Sequence, residues 1–159
     1  MPAHVLLDNT VLSNFALVGK TQLLRDSLGH RAATVAEVMS EYENGVLLRK
    51  VPRTDWQWLP VYSMVADELN LYQTLRRRLS AGESACLAVA HTRKLAVMTD
   101  DRDARQVAMQ YGIPLSGTLG ILVQVIRKQI LDLEQANRVL QEMIDSGYRA
   151  PVAKLDSLV

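Results

Sequence analysis

Carboxylates in four separate stretches carry the chemistry that this sequence offers. Asp8 directly follows the apolar run Val5-Leu6-Leu7. Glu41 lies in Ala36-Glu37-Val38-Met39-Ser40-Glu41-Tyr42, with Glu37 four residues earlier on the same helical face. Glu83 stands near the start of the small-residue, apolar run Ala81-Gly82-Glu83-Ser84-Ala85-Cys86-Leu87-Ala88. Asp100, Asp101 and Asp103 come directly after the run Leu95 to Thr99. Each acid has an ordinary structural use. Asp8 can cap a helix, although Asn9 or Thr10 would serve as well. Glu83 can sit in a first turn, where the helix dipole favours it. One aspartate of the last group can cap the following helix. Three acids in four residues exceed that need, and an acid opening an otherwise apolar helix asks for a partner such as a cation or metal.

Clustered carboxylates repel one another and raise each other's pKa. Divalent cations remove that penalty, and a set of oxygen-only ligands suits Mg²⁺ or Mn²⁺ rather than zinc. Two such ions can activate a water and stabilise the leaving oxygen of an in-line phosphoryl displacement. The chemistry therefore requires Asp8, Glu41, Glu83 and Asp100 to meet in space, which spacing along the chain does not establish.

The elements that must bring them together alternate between strand and helix. Short apolar runs at His4 to Leu7, Arg31 to Val35, Leu95 to Thr99 and Ile113 to Leu115 read as strands. Trp56 to Val61 reads as extended, with Pro60 arguing for an edge. Helices are expected over Thr10 to Leu28 with a break near Gly19, over Ala36 to Asn44 with a stop at Gly45, and over Ser63 to Leu79. In the last of these, Val65, Leu69, Tyr72, Leu75 and Leu79 fall near one face. Further helices are expected over Gly82 to Thr92, Asp103 to Tyr111, Gly117 to Gln129 and Leu133 to Ser146. This alternation predicts an α/β fold with a central parallel sheet covered on both faces. In such sheets ligands bind beyond the carboxyl ends of the strands, and two of the strands here end in acid.

Composition limits the remaining options. A chain of 159 residues, 48% hydrophobic, suits one globular domain with its own core. The only cysteine, Cys86, excludes an internal disulfide and reads as a small buried thiol. The N-terminus has no basic leader and no stretch is long and apolar enough for a membrane span, so a cytoplasmic protein with no membrane partner is expected. The net charge of +1 does not advertise nucleic-acid binding. Arg76-Arg77-Arg78, the densest basic run, suits a solvated helix face or phosphate contact. Trp56 and Trp58 would share one face of a strand, either buried on the domain's own long helix or forming an interface. His4, His30 and His91 lack metal-ligand spacing and read as incidental.

Taken together and in order, these motifs resemble the PIN domain family. The segments that carry the resemblance are Leu7-Asp8-Asn9-Thr10-Val11-Leu12-Ser13-Asn14-Phe15, Glu41, Gly82-Glu83-Ser84-Ala85, Thr99-Asp100-Asp101-Arg102-Asp103-Ala104-Arg105, and Gly112-Ile113-Pro114-Leu115-Ser116-Gly117-Thr118-Leu119-Gly120. They are most similar to a bacterial and archaeal branch with an acid-acid-Arg turn followed by Gly-Thr-Leu-Gly. The resemblance implies a single three-layer α/β/α domain over 1–159, with a core of about 3–148 and a tail at 149–159. It implies a metal-dependent endoribonuclease with catalytic Asp8, Glu41, Glu83 and Asp100. Asp8, Glu83, Asp100 and Asp101 would hold Mg²⁺ or Mn²⁺, and Thr10, Thr118, Asp103 and Glu37 would support them. Arg76, Arg77, Arg78 and Arg102 are candidates for RNA contact. A homodimer and a protein antitoxin are implied as partners, with this chain as the toxin of the pair. Two alternatives stay open from the residues alone. One is a haloacid-dehalogenase-like phosphatase with Asp8 as nucleophile; the other is a non-catalytic PIN-like binding module.

Overall fold

The computed structural model describes residues 3–159. Five strands form one parallel sheet: β1 (Val5–Leu7), β2 (Ala32–Val35), β3 (Val61–Tyr62), β4 (Ala96–Met98) and β5 (Leu115–Ser116), in the order β3-β2-β1-β4-β5. Val5 pairs with Ala32 on one side and Ala96 on the other. The strands β1 and β2 are buried along their whole length, which explains why they read as unbroken apolar runs rather than alternating ones. From β1 the chain moves outward to β2 and β3, then returns to β4 on the opposite side. The strand order therefore switches between β1 and β4, where a crevice opens at the carboxyl ends.

Eight α-helices cover the sheet: α1 (Asn9–Leu17), α2 (Thr21–Leu28), α3 (Ala36–Leu47), α4 (Ala66–Leu75), α5 (Ala81–Arg93), α6 (Arg102–Gln110), α7 (Thr118–Arg127) and α8 (Leu133–Asp145). The small-residue helix α5 lies on β1, β2 and β4 and packs against α3, α4 and α6. Its residues Ser84 to Ala90 are all buried, because Ala, Ser and Cys let a helix approach a sheet closely. The helices α1, α2, α7 and α8 pack against one another in the second layer. The architecture is the expected three-layer α/β/α one. The tail joins the core through Leu155, which is fully buried and whose N–H donates to Asn137 Oδ1 at 2.7 Å.

Local chemistry sets the boundaries. Gly19 at φ 66° makes the break between α1 and α2. Gly45 does not stop α3, which continues to Leu47; the following loop folds back so that Val51 packs over the glycine. The expected helix Ser63 to Leu79 is shorter, and Arg76, Arg77 and Arg78 form an exposed turn after it. Its expected apolar face is also displaced. Leu69 and Val65 are exposed, whereas Glu68 is fully buried. Arg93 from α5 supplies the reason, since its guanidinium meets the Glu68 carboxylate at 2.8 and 2.9 Å. Burial alone would raise the Glu68 pKa, but Arg93 and the Val65 N–H outweigh it and hold the carboxyl below its ordinary range. Only Val61 and Tyr62 of the expected extended segment join the sheet. Trp56 and Trp58 lie in the preceding loop, half-buried, with Trp56 edge-on to Tyr42 of α3 at 5.4 Å.

Candidate functional site

The acids gather at the carboxyl ends of the two central strands. Asp8 is 1% exposed at the end of β1. Its carboxylate accepts from the Asn9 N–H at 2.8 Å, capping α1, and from the Thr99 hydroxyl at 2.7 Å. The cap and the Thr99 bond use two of the carboxylate's about four acceptor positions, so capping does not exhaust Asp8. Thr99, fully buried at the end of β4, joins the two strand ends across the crevice.

Glu41 reaches the same place from α3. Its Oε2 accepts from the Gly82 N–H at 3.2 Å, at the positive N-terminal end of α5. A Cβ at position 82 would overlap the Glu41 carboxylate, which explains a glycine immediately before Glu83. Ser80 caps α5 by accepting from the Glu83 N–H at 3.2 Å. Asp8, Glu41 and Glu83 then line one cavity of about 410 Å³, together with Thr10, Ser80 and Lys50.

Asp100 and Asp101 take different directions. The Asp100 carboxylate accepts from the Thr118 N–H at 2.9 Å, from the Thr118 hydroxyl at 2.5 Å and from Asn14 Nδ2 at 3.0 Å. It anchors the start of α7 and ties it to α1. Gly117 permits this approach, because a Cβ there would overlap Asp100 Oδ1. Thr10 also serves Asp100, its hydroxyl accepting from the Asp100 N–H at 2.9 Å. Asp101 caps α6 by accepting from the Ala104 N–H at 2.8 Å. It does not line the acid cavity, but it is near enough for its charge to raise the pKa of both Asp8 and Glu83.

Burial and this crowding leave two carboxyls short of solvation. Burial, followed by the charges of Glu41 and Asp101, pushes Asp8 up to about 6 against the hydrogen bonds from Thr99 and Asn9. Burial, then Asp8 and Asp101, pushes Glu83 up to about 7. Full burial, and then the charges of Asp8 and Glu41, push the Cys86 thiol well up, which disfavours its thiolate. Among the described residues, ion pairs form only at Arg93–Glu68 and Arg138–Glu134, so the site acids have no cationic partner.

Glu37 lies beside Glu41 in a neighbouring cleft with Ser40, Asn44 and Ala81. Its Oε1 is buried without a hydrogen-bond partner among the described residues. Asp103 is exposed in the first turn of α6. Arg102 is exposed next to Asp101, and the Arg76–Arg78 turn lies beyond it, with Arg78 touching Gln106 at 3.4 Å. Thr99, Asn14, Ser80 and Lys50 escape a sequence reading built on acids. Asn14 gave no spacing signal, because it meets Thr118 at 3.2 Å from 104 positions away. Lys50 follows Arg49, which holds the left-handed conformation at φ 58°, and its N–H donates to Gly45 O at 2.8 Å.

The donor set suits a hard divalent cation in kind: oxygens only, negatively charged, two of them hard to ionise unaided. Among the described residues no three acidic, histidine or cysteine side chains are drawn together tightly enough to enclose an ion by themselves. An ion here would keep several waters, as Mg²⁺ usually does.

The model of a family described as a PIN domain matches residues 4–158. The chain belongs to the PIN domain family. PIN domains are typically nucleases, and the acid end of this one lies at the sheet's switch point. A similar fold is seen in the crystal structure of PAE2754 from Pyrobaculum aerophilum. It matches with a TM-score of 0.57 and 16% identity, over 80% of this chain and 99% of that one. No curated protein gives a significant sequence match.

Proposed function

We propose that this PIN domain, acting as one unit over 1–159, is a divalent-metal-dependent endoribonuclease that hydrolyses phosphodiester bonds of RNA. One observation carries the proposal: Asp8, Glu41 and Glu83 converge on a single cavity, and among the described residues no cationic side chain is paired to any of them. Asp8, Glu83 and Asp101 are the residues that would hold Mg²⁺ or Mn²⁺, with Glu41 beside them; Asp100, expected among the ligands, instead holds the start of α7 and lines the neighbouring groove. When bound, a divalent ion of this kind supplies an acidified water and neutralises charge on phosphoryl oxygens. The Thr99 hydroxyl and Asn9 N–H keep the Asp8 carboxylate in one orientation. The Gly82 N–H does the same for Glu41. Fixing these oxygens in advance lowers the reorganisation cost of charge at the reacting phosphorus. Lys50 lines the cavity and is positioned to offset the repulsion that an incoming phosphate meets from the acids.

A cytoplasmic toxin whose partner is a protein antitoxin, acting as a homodimer, is the biological setting that best suits a small nuclease of this family. Among the described residues no helix is long and apolar enough to cross a membrane.

The test is cleavage of single-stranded RNA by the wild-type protein and by Asp8→Asn, in Mn²⁺, Mg²⁺ or EDTA, alongside a phosphomonoester. Metal-dependent RNA cleavage, lost in the variant, is expected. Phosphate release from the monoester alone, or an Asp8→Asn protein as active as wild type, would overturn it.

A further inference from the structure

Beside the acid cavity lies a second groove, of about 580 Å³, at the carboxyl ends of β4 and β5. Its lining includes Arg102, Arg105 and Arg149, together with Tyr148 and Gln106. Asp100 is the only carboxylate in the lining, and its oxygens are taken up by Thr118 and Asn14. Among the described residues none of the three arginines is in an ion pair. Arg105 is held in place by two carbonyls, donating to Thr99 O at 2.9 Å and Ser116 O at 3.1 Å. Arg102 and Arg149 are exposed. Arg78 extends the basic strip through its contact with Gln106.

We infer that this groove holds the RNA strand flanking the cleavage point, with phosphates on Arg102 and Arg149 and an unstacked base against Tyr148. The inference rests on the nuclease reading above and adds the path of the substrate. Lys50 lines the acid cavity itself, and the arginines line the groove at the ends of β4 and β5. A polymer laid from the acid cavity along the carboxyl edge of the sheet towards β5 therefore passes from the acids onto the arginines. A groove of this volume takes a nucleotide-sized ligand. Unpaired arginines beside a half-buried tyrosine have the chemistry of a single-strand site, in which backbone phosphates meet cations and bases stack on aromatic rings. A duplex would offer its bases already stacked and gain nothing from Tyr148.

The experiment is binding of a short fluorescein-labelled single-stranded RNA, followed by anisotropy in EDTA so that no cleavage occurs. Wild type is compared with Arg102→Gln, Arg149→Gln and their double variant; Arg25→Gln on α2 is the control. The exposed arginines bear no load in the fold, and circular dichroism checks that each variant remains folded. Each single variant is expected to weaken binding several-fold and to lower the slope of log affinity against log salt by about 0.7, the loss of one single-strand phosphate contact. The control should bind as wild type does. Wild type that retains no RNA, or groove variants that bind and respond to salt as wild type does, would overturn the inference. So would variants that change the sedimentation behaviour of the protein instead, since a second copy would then cover the groove. Cleavage in Mn²⁺ is scored separately. Binding without cleavage sinks the nuclease reading and leaves the groove standing; cleavage indifferent to both arginines does the reverse.

Discussion

The two neighbouring aspartates at the end of β4 illustrate how one position changes a residue's work. Asp100 accepts three hydrogen bonds that tie α7 and α1 to the strand end. Asp101 spends one oxygen on capping α6 and acts by its charge on Asp8 and Glu83. Their amide variants should therefore separate. Asp100→Asn removes charge-assisted bonds at a partly buried junction and should cost about 1–3 kcal/mol of stability. Asp101→Asn keeps a good cap, since asparagine serves as well as aspartate at a helix start. It should leave stability within about 0.5 kcal/mol while RNA cleavage falls by at least roughly tenfold, the effect of about 1.4 kcal/mol on the barrier. Urea unfolding and initial cleavage rates on the same two proteins check both expectations. Equal stability losses would assign the two residues the same structural duty.

At the scale of elements, helix starts aim the site. The helices α1, α5 and α6 begin at the crevice, capped by Asp8, Ser80 and Asp101, so their N–H groups and positive ends surround the acids. The contact of α3 with α5 depends on Gly82. Gly82→Ala would place a methyl group against the Glu41 carboxylate, and Glu41 would have to leave the α5 N-terminus. In a helix alanine is otherwise favoured over glycine by about 1 kcal/mol. The expected result is a small net change in melting temperature with a large loss of cleavage, read by calorimetry and RNA assay; unchanged cleavage would show that Glu41 does not need that place. Much of this was legible in the sequence. Buried strands ending in Asp8 and in Asp100-Asp101, and an acid opening an apolar helix, announced a sheet with acids at one end. Less legible were features fixed only by tertiary contact. The burial of Glu68 in place of Val65 and Leu69 could not be read from spacing, because its partner Arg93 lies 25 positions away on another helix. The Trp56 segment looked extended, yet the ring packs on Tyr42 and only Val61 and Tyr62 find a strand to pair with.

For the molecule as a whole, the acid site trades stability for readiness. Asp8 at about 6 and Glu83 at about 7 both lie above their ordinary values of 3.8 and 4.5, so the folded state binds these protons more tightly than the unfolded state. Their contribution is fully present below the ordinary values and is lost as pH rises through 6 and 7. For buried Asp8 alone, the change from 3.8 to about 6 corresponds to roughly 3 kcal/mol. In EDTA, the melting temperature should therefore decline between about pH 4 and pH 7, and Asp8→Asn should flatten the decline. Mg²⁺ or Mn²⁺ at millimolar concentration should raise the melting temperature most at the upper end of that range, by mass action on the ionised acids. A melting temperature indifferent to both pH and metal would mean that these carboxyls do not share a field.

The hydrogen bond from Thr99 to Asp8 spans 91 positions of the chain. A ribosome making this protein releases Asp8 first and its partner 91 positions later. Until then the first acid has no strand end to face, and the segment carrying Glu83 cannot lie across the sheet. Growing chains and fragments that stop before Thr99 therefore carry Asp8 and Glu83 without the strand end that brings the acids to one place.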